Sequence, residues 1–438
     1  PGMDSQKTNS YGMKVFHSFD GFELQSYTSS TDTNVIFSYD ADWGNTDSHF
    51  PYVYDYFSET LRDRKSFNQE FRAVSDSADF QKNSFFEWVI GANYLELKES
   101  NLKKDDGLYG DPSDPYGPYA SASASSSKYK SSNFSVFGNL DYLLSASLKF
   151  SIGLRWEDWE ADYADSLQES FNPTDKMSGG KISLIKNMTN GTNMYASLAK
   201  GYKQGGFNLG LGLDANSRNK NLAYDPEFLT NYELGINTKL LDSRVTFNGV
   251  LFYSDREDQQ VLISTQTDPS DPNTFSFLTQ NAAEGVNHGL EINMDMDINQ
   301  SLSAFVNLGI LKTEIKNWQS RQDLEGRAQA HAPERSYALG LNWAPTSHTY
   351  LAIDFTGKSS FYYSDSHNNK SKSYVLTNLN LGYVKNNWNY ELWARNIFDE
   401  YYSVRGFYFG NEAPNFIDTL YERHGDPRHI GVSIRYDF

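Results

Sequence analysis

At 438 residues the chain is long enough for two or three ordinary soluble domains or for one large closed sheet. Its 38 basic and 56 acidic residues leave a formal net charge of −18, which argues against a nucleic-acid partner, because phosphate binding needs clustered Lys and Arg. With no cysteine, neither a disulfide framework nor a thiolate metal site can form, and no run approaches the ~20 apolar residues of a membrane-spanning helix. A β-barrel stays open, since each of its strands needs only ~10 residues with alternate ones apolar. The 30 Tyr and 29 Phe gather toward strand ends and loops, as interfacial girdles require. Pro1–Ser10 is polar and lacks the apolar core of a signal peptide, so an export signal would have been removed or the chain is a fragment.

In chain order, the first strand-like stretch is Met13–Phe19, closed by a short link at Phe19–Gly21. A second lies in SFNQEFRAVS, 66–75. Phe134, Val136, Leu140 and Tyr142 alternate with Ser135, Asn139 and Asp141, and after a turn at Ser145–Ser147 the alternation resumes from Leu148 to Trp156, which reads as an antiparallel hairpin. Tyr232–Ile236 turns at Leu241–Asp242–Ser243 into Val245–Tyr253, and Leu290–Ile298 follows. Further stretches run over 302–310, 337–343, 351–355, 375–383 and 388–392. The last, HIGVSIRYDF, sets Ile430, Val432, Ile434, Tyr436 and Phe438 against His429, Gly431, Ser433, Arg435 and Asp437. Helical periodicity of comparable strength is absent. The pattern predicts an all-β chain of about 17 antiparallel strands, each about 9 to 15 residues long, a length that suits tilted transmembrane strands.

Connections alternate in length. Short links at 19–21, 145–147, 188–193, 241–243, 299–301, 344–348 and 385–387 interleave with long polar ones near 33–65, 99–130, 204–228, 264–285, 318–334 and 398–427. Short turns on one rim and long loops on the other characterise outer-membrane barrels. With the apolar stripe in lipid, Arg155, Glu233, Lys239, Glu291, Arg395 and Arg435 point into the lumen, where both signs can pair across the wall. The DPSDPYGPYASASASSS segment reads as a mobile extracellular loop.

Signals for catalysis are thin. The eight histidines show no HExxH spacing, and no nucleophile elbow or phosphate loop appears. Asp40, Asp42 and Asp47 have the wrong spacing for a calcium loop, and His424 and His429 straddle a Gly-Asp-Pro turn. No enzyme, metal site or cofactor is therefore expected. Binding is better supported: Tyr109, Tyr116, Tyr119, Tyr202, Phe207, Phe361, Tyr362, Tyr363 and Tyr408 place aromatic faces on loops and rims, where they could stack on flat ligands or seat at the lipid boundary.

Four segments carry a family resemblance: LAKGYKQGGFNLG (198–210), the DPEFLTNYELGINTKLL hairpin and its return (225–261), ELWARNIFDEYY (391–402) and RHIGVSIRYDF (428–438). In this order they resemble the barrel of a TonB-dependent outer-membrane receptor, the active-uptake class of gram-negative bacteria. The resemblance implies a nominal ~22-stranded transmembrane barrel. It also implies ligand-gated uptake of a scarce nutrient such as a ferric siderophore, with cobalamin or an oligosaccharide as alternatives. Implied partners are outer-membrane lipid and lipopolysaccharide, the barrel-assembly machinery reading Tyr436 and Phe438, and the TonB complex. That complex acts through a plug domain that the 438 residues do not contain. The whole chain then reads as barrel, truncated at its N-terminus, open-sided, and unable to transport alone. A passive porin and a soluble all-β binding protein are the rivals; the latter would have to bury the apolar stripe against a second layer.

Overall fold

The computed structural model describes residues 2–438 except 45–46, 77–84, 167–169, 190, 209–222, 267–274, 319–320, 413–414 and 416. Alternation and turn chemistry organise it into one antiparallel sheet of eighteen strands, one of which is the two-residue Ser170–Phe171. The other seventeen form a continuous wall: β1 Met3–Phe19, β2 Phe22–Asp40, β3 Val53–Ser75, β4 Phe86–Gly110, β5 Tyr119–Ser145, β6 Leu148–Asp165, β7 Thr174–Asn187, β8 Asn193–Lys203, β9 Glu227–Leu240, β10 Val245–Gln266, β11 Phe275–Asn299, β12 Leu302–Asn317, β13 Arg335–Thr346, β14 Thr349–Lys358, β15 Tyr374–Lys385, β16 Trp388–Arg395 and β17 His429–Tyr436. Each strand pairs with its sequence neighbour, so the topology is an up-and-down meander.

The short links are tight turns of suitable chemistry. Leu241, Asp242 and Ser243 all take positive φ, at 53, 55 and 65°, and Asn386 does so at 53° between β15 and β16. Inner-face glycines let rings from the next strand lie flat against the backbone. A Cβ at Gly382 would stand 2.0 Å from the ring of its rung partner Tyr350, and one at Gly431 would stand 2.2 Å from that of Trp393.

The register separates two faces. Leu234 pairs with Leu251, and Ala394 with Ile430, on the outer face. Leu251 is 55% exposed, Leu234 58%, Ile430 65% and Val432 69%, so no second layer covers the stripe. At the level of the apolar stripe the inner face carries the charges, and the inner side also holds the two small cores, Trp159–Ala161–Met177 and Val261–Ile315–Trp318–Leu324. Among the described residues β1 pairs only with β2 and β17 only with β16, which leaves an open-sided wall. As first and seventeenth strands of a meander, β1 and β17 run parallel and could not complete an antiparallel wall by joining each other.

Strand lengths depart from expectation. β4 continues to Gly110 and β5 begins at Tyr119, so the loop expected over 99–130 shrinks to residues 111–118 and ASASASSS is strand. Likewise β2 and β3 leave only 41–52 of the loop expected over 33–65. These extensions carry Ser, Ala, Lys and Asp on both faces, so no apolar period marks them. The loops expected near 204–228 and 264–285 lie partly outside the described residues, at 209–222 and 267–274.

Leu251→Arg, placing a charge on the bare outer stripe, is expected to destabilise folding into bilayers by about 2–4 kcal/mol. Asn248→Arg on the inner face should cost less than about 1 kcal/mol. Equilibrium folding into lipid vesicles measures both, and equal costs would contradict the assignment of faces.

Candidate ligand-binding site

On the inner wall, opposite charges sit within reach of one another, some across adjacent strands and some two residues apart along one strand. Lys149 Nζ lies 2.6 Å from Asp141, and Arg64 lies 2.5 Å from Glu99, whose carboxylate also faces Arg62 at 3.4 Å. Arg155 binds Glu157 at 2.7 Å, and both contact the Tyr202 hydroxyl at 3.1 Å. Glu233 accepts a bond from Tyr195 at 3.4 Å, and Arg435 pairs with Asp437 at 3.2 Å. Lys239, Glu291 and Arg395 occupy inner-face register positions opposite Thr246, Val250 and His429. The cross-strand pairs tie parts of the wall together, whereas Lys239, Glu291 and Arg395 form no ion pair among the described residues.

A different arrangement stands at the long-loop rim. Trp318 and residues 321–334 fold back over β10 and β12, anchored by Trp318 and Leu324, which are 1% and 0% exposed. From this loop the Arg327 guanidinium enters the next one. It lies 2.9 Å from Asp365, donates to the carbonyls of Ser364 and His367, and covers the Tyr362 ring at 4.4 Å. Lys370 covers the same ring at 4.0 Å. The third contributor is a hairpin, Ser403–Phe409 with Thr419–His424, in the connection between β16 and β17. Gly406 lets it lie on Tyr363, because a Cβ there would stand 2.4 Å from that ring. The Tyr363 hydroxyl donates to Glu422, and burial together with that carboxylate pushes the phenol up to about 12.

The three loops enclose a cavity of about 300 Å³ lined by Gln260, His331, Asp365, His367, Arg405 and Tyr408, among others. Arg405 is exposed and lies 4.9 Å from the Phe407 ring, with no carboxylate within ion-pair distance among the described residues. Burial, with the Arg405 charge, holds His331 below the usual imidazole range. Burial does the same for His367, with Arg327 adding to it. A guanidinium fork, two uncharged imidazoles and the half-exposed Tyr408 ring 5.8 Å from His367 make a pocket for an anionic, partly aromatic molecule. The hairpin also crosses to the first long loop, where Trp43 meets Phe407 at 5.8 Å and its carbonyl accepts from Asn411 at 3.3 Å.

Of the expected ligand residues, the rim gathers Phe361, Tyr362, Tyr363 and Tyr408. Phe361 and Tyr363 are 7% and 2% exposed and act as supports, and Tyr362 is held between two cations. Tyr109, Tyr116 and Tyr119 stand at the tip of the β4–β5 hairpin. There Tyr119 bonds Asp114 at 2.9 Å and Tyr109 meets Tyr54 edge-on, and none of the three lines the rim cavity. Phe207 is packed among Tyr129, Tyr163 and Phe171, and Tyr202 is held by Arg155. Arg327, His331, Asp365, His367 and Arg405 went unrecognised, because no sequence spacing relates three separate loops. Asp42 is a turn residue that accepts from the backbone of Gly44 and Tyr56, and among the described residues no group of three potential ligands could hold a metal.

A meander of this length with a bare apolar outer face and a charged inner face is a membrane wall, and residues 3–397 match the family described as "TonB dependent receptor-like, beta-barrel". The chain belongs to the TonB-dependent receptor family. Its members reside in the outer membrane of gram-negative bacteria. The chain is 23% identical to the pesticin receptor of Yersinia pestis over 267 residues, which span 59% of this chain and 36% of that protein. The ferric yersiniabactin uptake receptor FyuA of Yersinia pestis superimposes with a TM-score of 0.74 at 18% identity, covering 99% of this chain and 61% of that one. The siderophore receptor PiuA of Acinetobacter baumannii gives 0.74 at 16% identity over 99% and 65%, and the copper transporter OprC gives 0.73 at 14% over 99% and 66%. This TonB-dependent receptor chain therefore spans less than two thirds of the length of these relatives.

Because both rim imidazoles are held below the ordinary ~6.5, the unfolded chain takes up protons more readily than the folded one. Their contribution is complete above about pH 6.5 and is lost as pH falls toward the depressed folded values. The thermal midpoint of the rim loops, followed by hydrogen exchange, should drop between pH 7.5 and 5. A His331→Gln/His367→Gln double variant should show a flatter profile, and identical profiles would refute the assignment.

Proposed function

We propose that this wall belongs to a ligand-gated, TonB-dependent importer whose rim captures a scarce nutrient, with ferric siderophores as the first class. The observation that carries this reading is the rim cavity, where Arg405 stands without a carboxylate partner among the described residues beside uncharged histidines and an open tyrosine ring. Ferric chelates are commonly anionic and often bear aromatic rings, so charge-assisted bonds and stacking would act together. In the complete receptor a plug would close the lumen and complete the site. Energy delivered by the TonB complex to that plug would release the cargo inward. The names of the structural neighbours support the class, since they include siderophore receptors and a copper transporter. In the same reading, Tyr436 and the fully exposed Phe438 at the end of β17 serve insertion by the barrel-assembly machinery.

Binding of a radiolabelled ferric chelate to outer membranes carrying the complete receptor tests this. Arg405→Gln is expected to weaken an anionic chelate about tenfold or more, and Arg405→Lys less. Unchanged affinity for every anionic chelate, together with tight binding of a neutral cargo such as cobalamin, would overturn the siderophore reading.

A further inference from the structure

Glu227 opens β9 at its long-loop end, on the inner face, and it is 6% exposed. A carboxylate so placed needs donors around it, because a buried charge without partners is strongly destabilising. Three donors supply them. Arg256 of β10 donates to Oε1 from Nε at 2.8 Å and from Nη2, and the backbone N–H of Gln260 donates to Oε2 at 2.9 Å. The one carboxylate therefore holds two separate points of β10.

The stretch between those points is irregular. Register with β11 shifts between Arg256 and Gln259 and again between Gln259 and Gln260, and Asp258 takes a positive φ of 54°. Asn281 of β11 steadies the same turn: it accepts from the Asp225 N–H at 2.6 Å and donates to the carbonyls of Asp225 and Asp258 at 2.8 and 2.9 Å. Gln260 Nε2 adds bonds to the carbonyls of Gln204 and Asp225 at 2.8 and 3.0 Å. A bulge of this kind bends its strand and re-aims side chains, and bulges concentrate at barrel rims and beside binding sites.

Gln259, Gln260, Val261 and Leu262, at and beyond the bulge, line one side of the rim cavity, while Arg405 and Tyr408 line the side formed by the hairpin. Arg256 Nη1 also donates to Gln329 at 3.4 Å, and the Gln329 amide meets Gln259 at 3.5 Å, so residues 321–334 are fixed to the same point. Gly285 permits this approach, since a Cβ there would stand 2.7 Å from both glutamine side chains. Glu227 and Arg256 themselves do not line the cavity.

We infer, resting on the proposed capture of an anionic chelate at this cavity, that Glu227 is its positioning residue: by closing the β10 bulge it holds in place the cavity wall opposite Arg405, without touching the ligand. Charge gives this role a sign that can be read. Loss of the carboxylate removes a negative charge and frees the Arg256 guanidinium, so a purely electrostatic role would make an anion bind more tightly, whereas a positioning role makes it bind more weakly.

The test is equilibrium binding of ferric chelates of catecholate, hydroxamate and carboxylate type to outer membranes carrying the complete receptor. Kd and the number of sites are read separately, and heat-modifiable gel migration reports the fold. Glu227→Gln is expected to raise Kd about tenfold for the chelate that the native receptor binds, with the number of sites unchanged. Glu227→Asp keeps the charge and should fall between the two. An unchanged or lower Kd in a folded Glu227→Gln receptor overturns the inference, as does a loss of sites at constant Kd, which marks a merely structural role. Hydrogen exchange separates this inference from the capture reading: Glu227→Gln should speed exchange of the amides of 259–262 about fivefold or more while leaving Leu148–Trp156 unaffected. Should none of the chelates bind the native receptor, the capture reading fails by itself, and unchanged exchange at 259–262 then overturns the positioning role as well. If Glu227→Gln does not fold, Glu227→Asp is read in the same way.

Discussion

Everything in this molecule follows from the requirement that backbone N–H and C=O groups entering hydrocarbon be hydrogen-bonded there. A seventeen-strand meander meets it by pairing every strand with its sequence neighbour, and the pleat then assigns side chains to lipid or interior in strict alternation. The outer stripe needs no protein partner because acyl tails supply one. The inner face, denied lipid, pairs several of its charges locally, as Lys149 does with Asp141 and Arg155 with Glu157. The unpaired edges of β1 and β17 are where that requirement is unmet within these residues.

The wall and the rim use charge differently. Along the wall, pairs at 2.5 to 3.4 Å neutralise one another and link neighbouring strands, as Arg62 and Arg64 do with Glu99 and Lys149 with Asp141. At the rim, Arg327 acts as a buried tie between two loops, with its side chain 7% exposed and Asp365 at 2.9 Å. That tie positions the hairpin-facing side of the cavity, where Arg405 projects without a carboxylate partner among the described residues. The distinction matters chemically: a neutralised arginine organises backbone, whereas an unpaired one beside low-pKa imidazoles attracts anions.

How far the sequence could be read depended on periodicity. Where one face meets lipid, as in Leu148–Trp156 or Val245–Tyr253, alternation marked the strand and its faces correctly. Above the membrane both faces meet water, so Ala120–Ser127 looked like a loop although it is ladder. The aromatic residues Phe361, Tyr362, Tyr363 and Tyr408 drew notice by type alone, and the burial of Phe361 and Tyr363 could not be anticipated. Phe207 drew notice for the same reason and proved to be packed among other rings.

By itself the sequence determined the all-β wall, its two faces, its short-turn and long-loop rims and its family, because these follow from period-two patterning and local motifs. Only the tertiary structure decided which loops meet, that Arg327 is a tie while Arg405 is open, and that Glu227 holds Arg256 and Gln260 together. Those relations depend on register and on loop packing between segments tens of residues apart, and no local pattern encodes them.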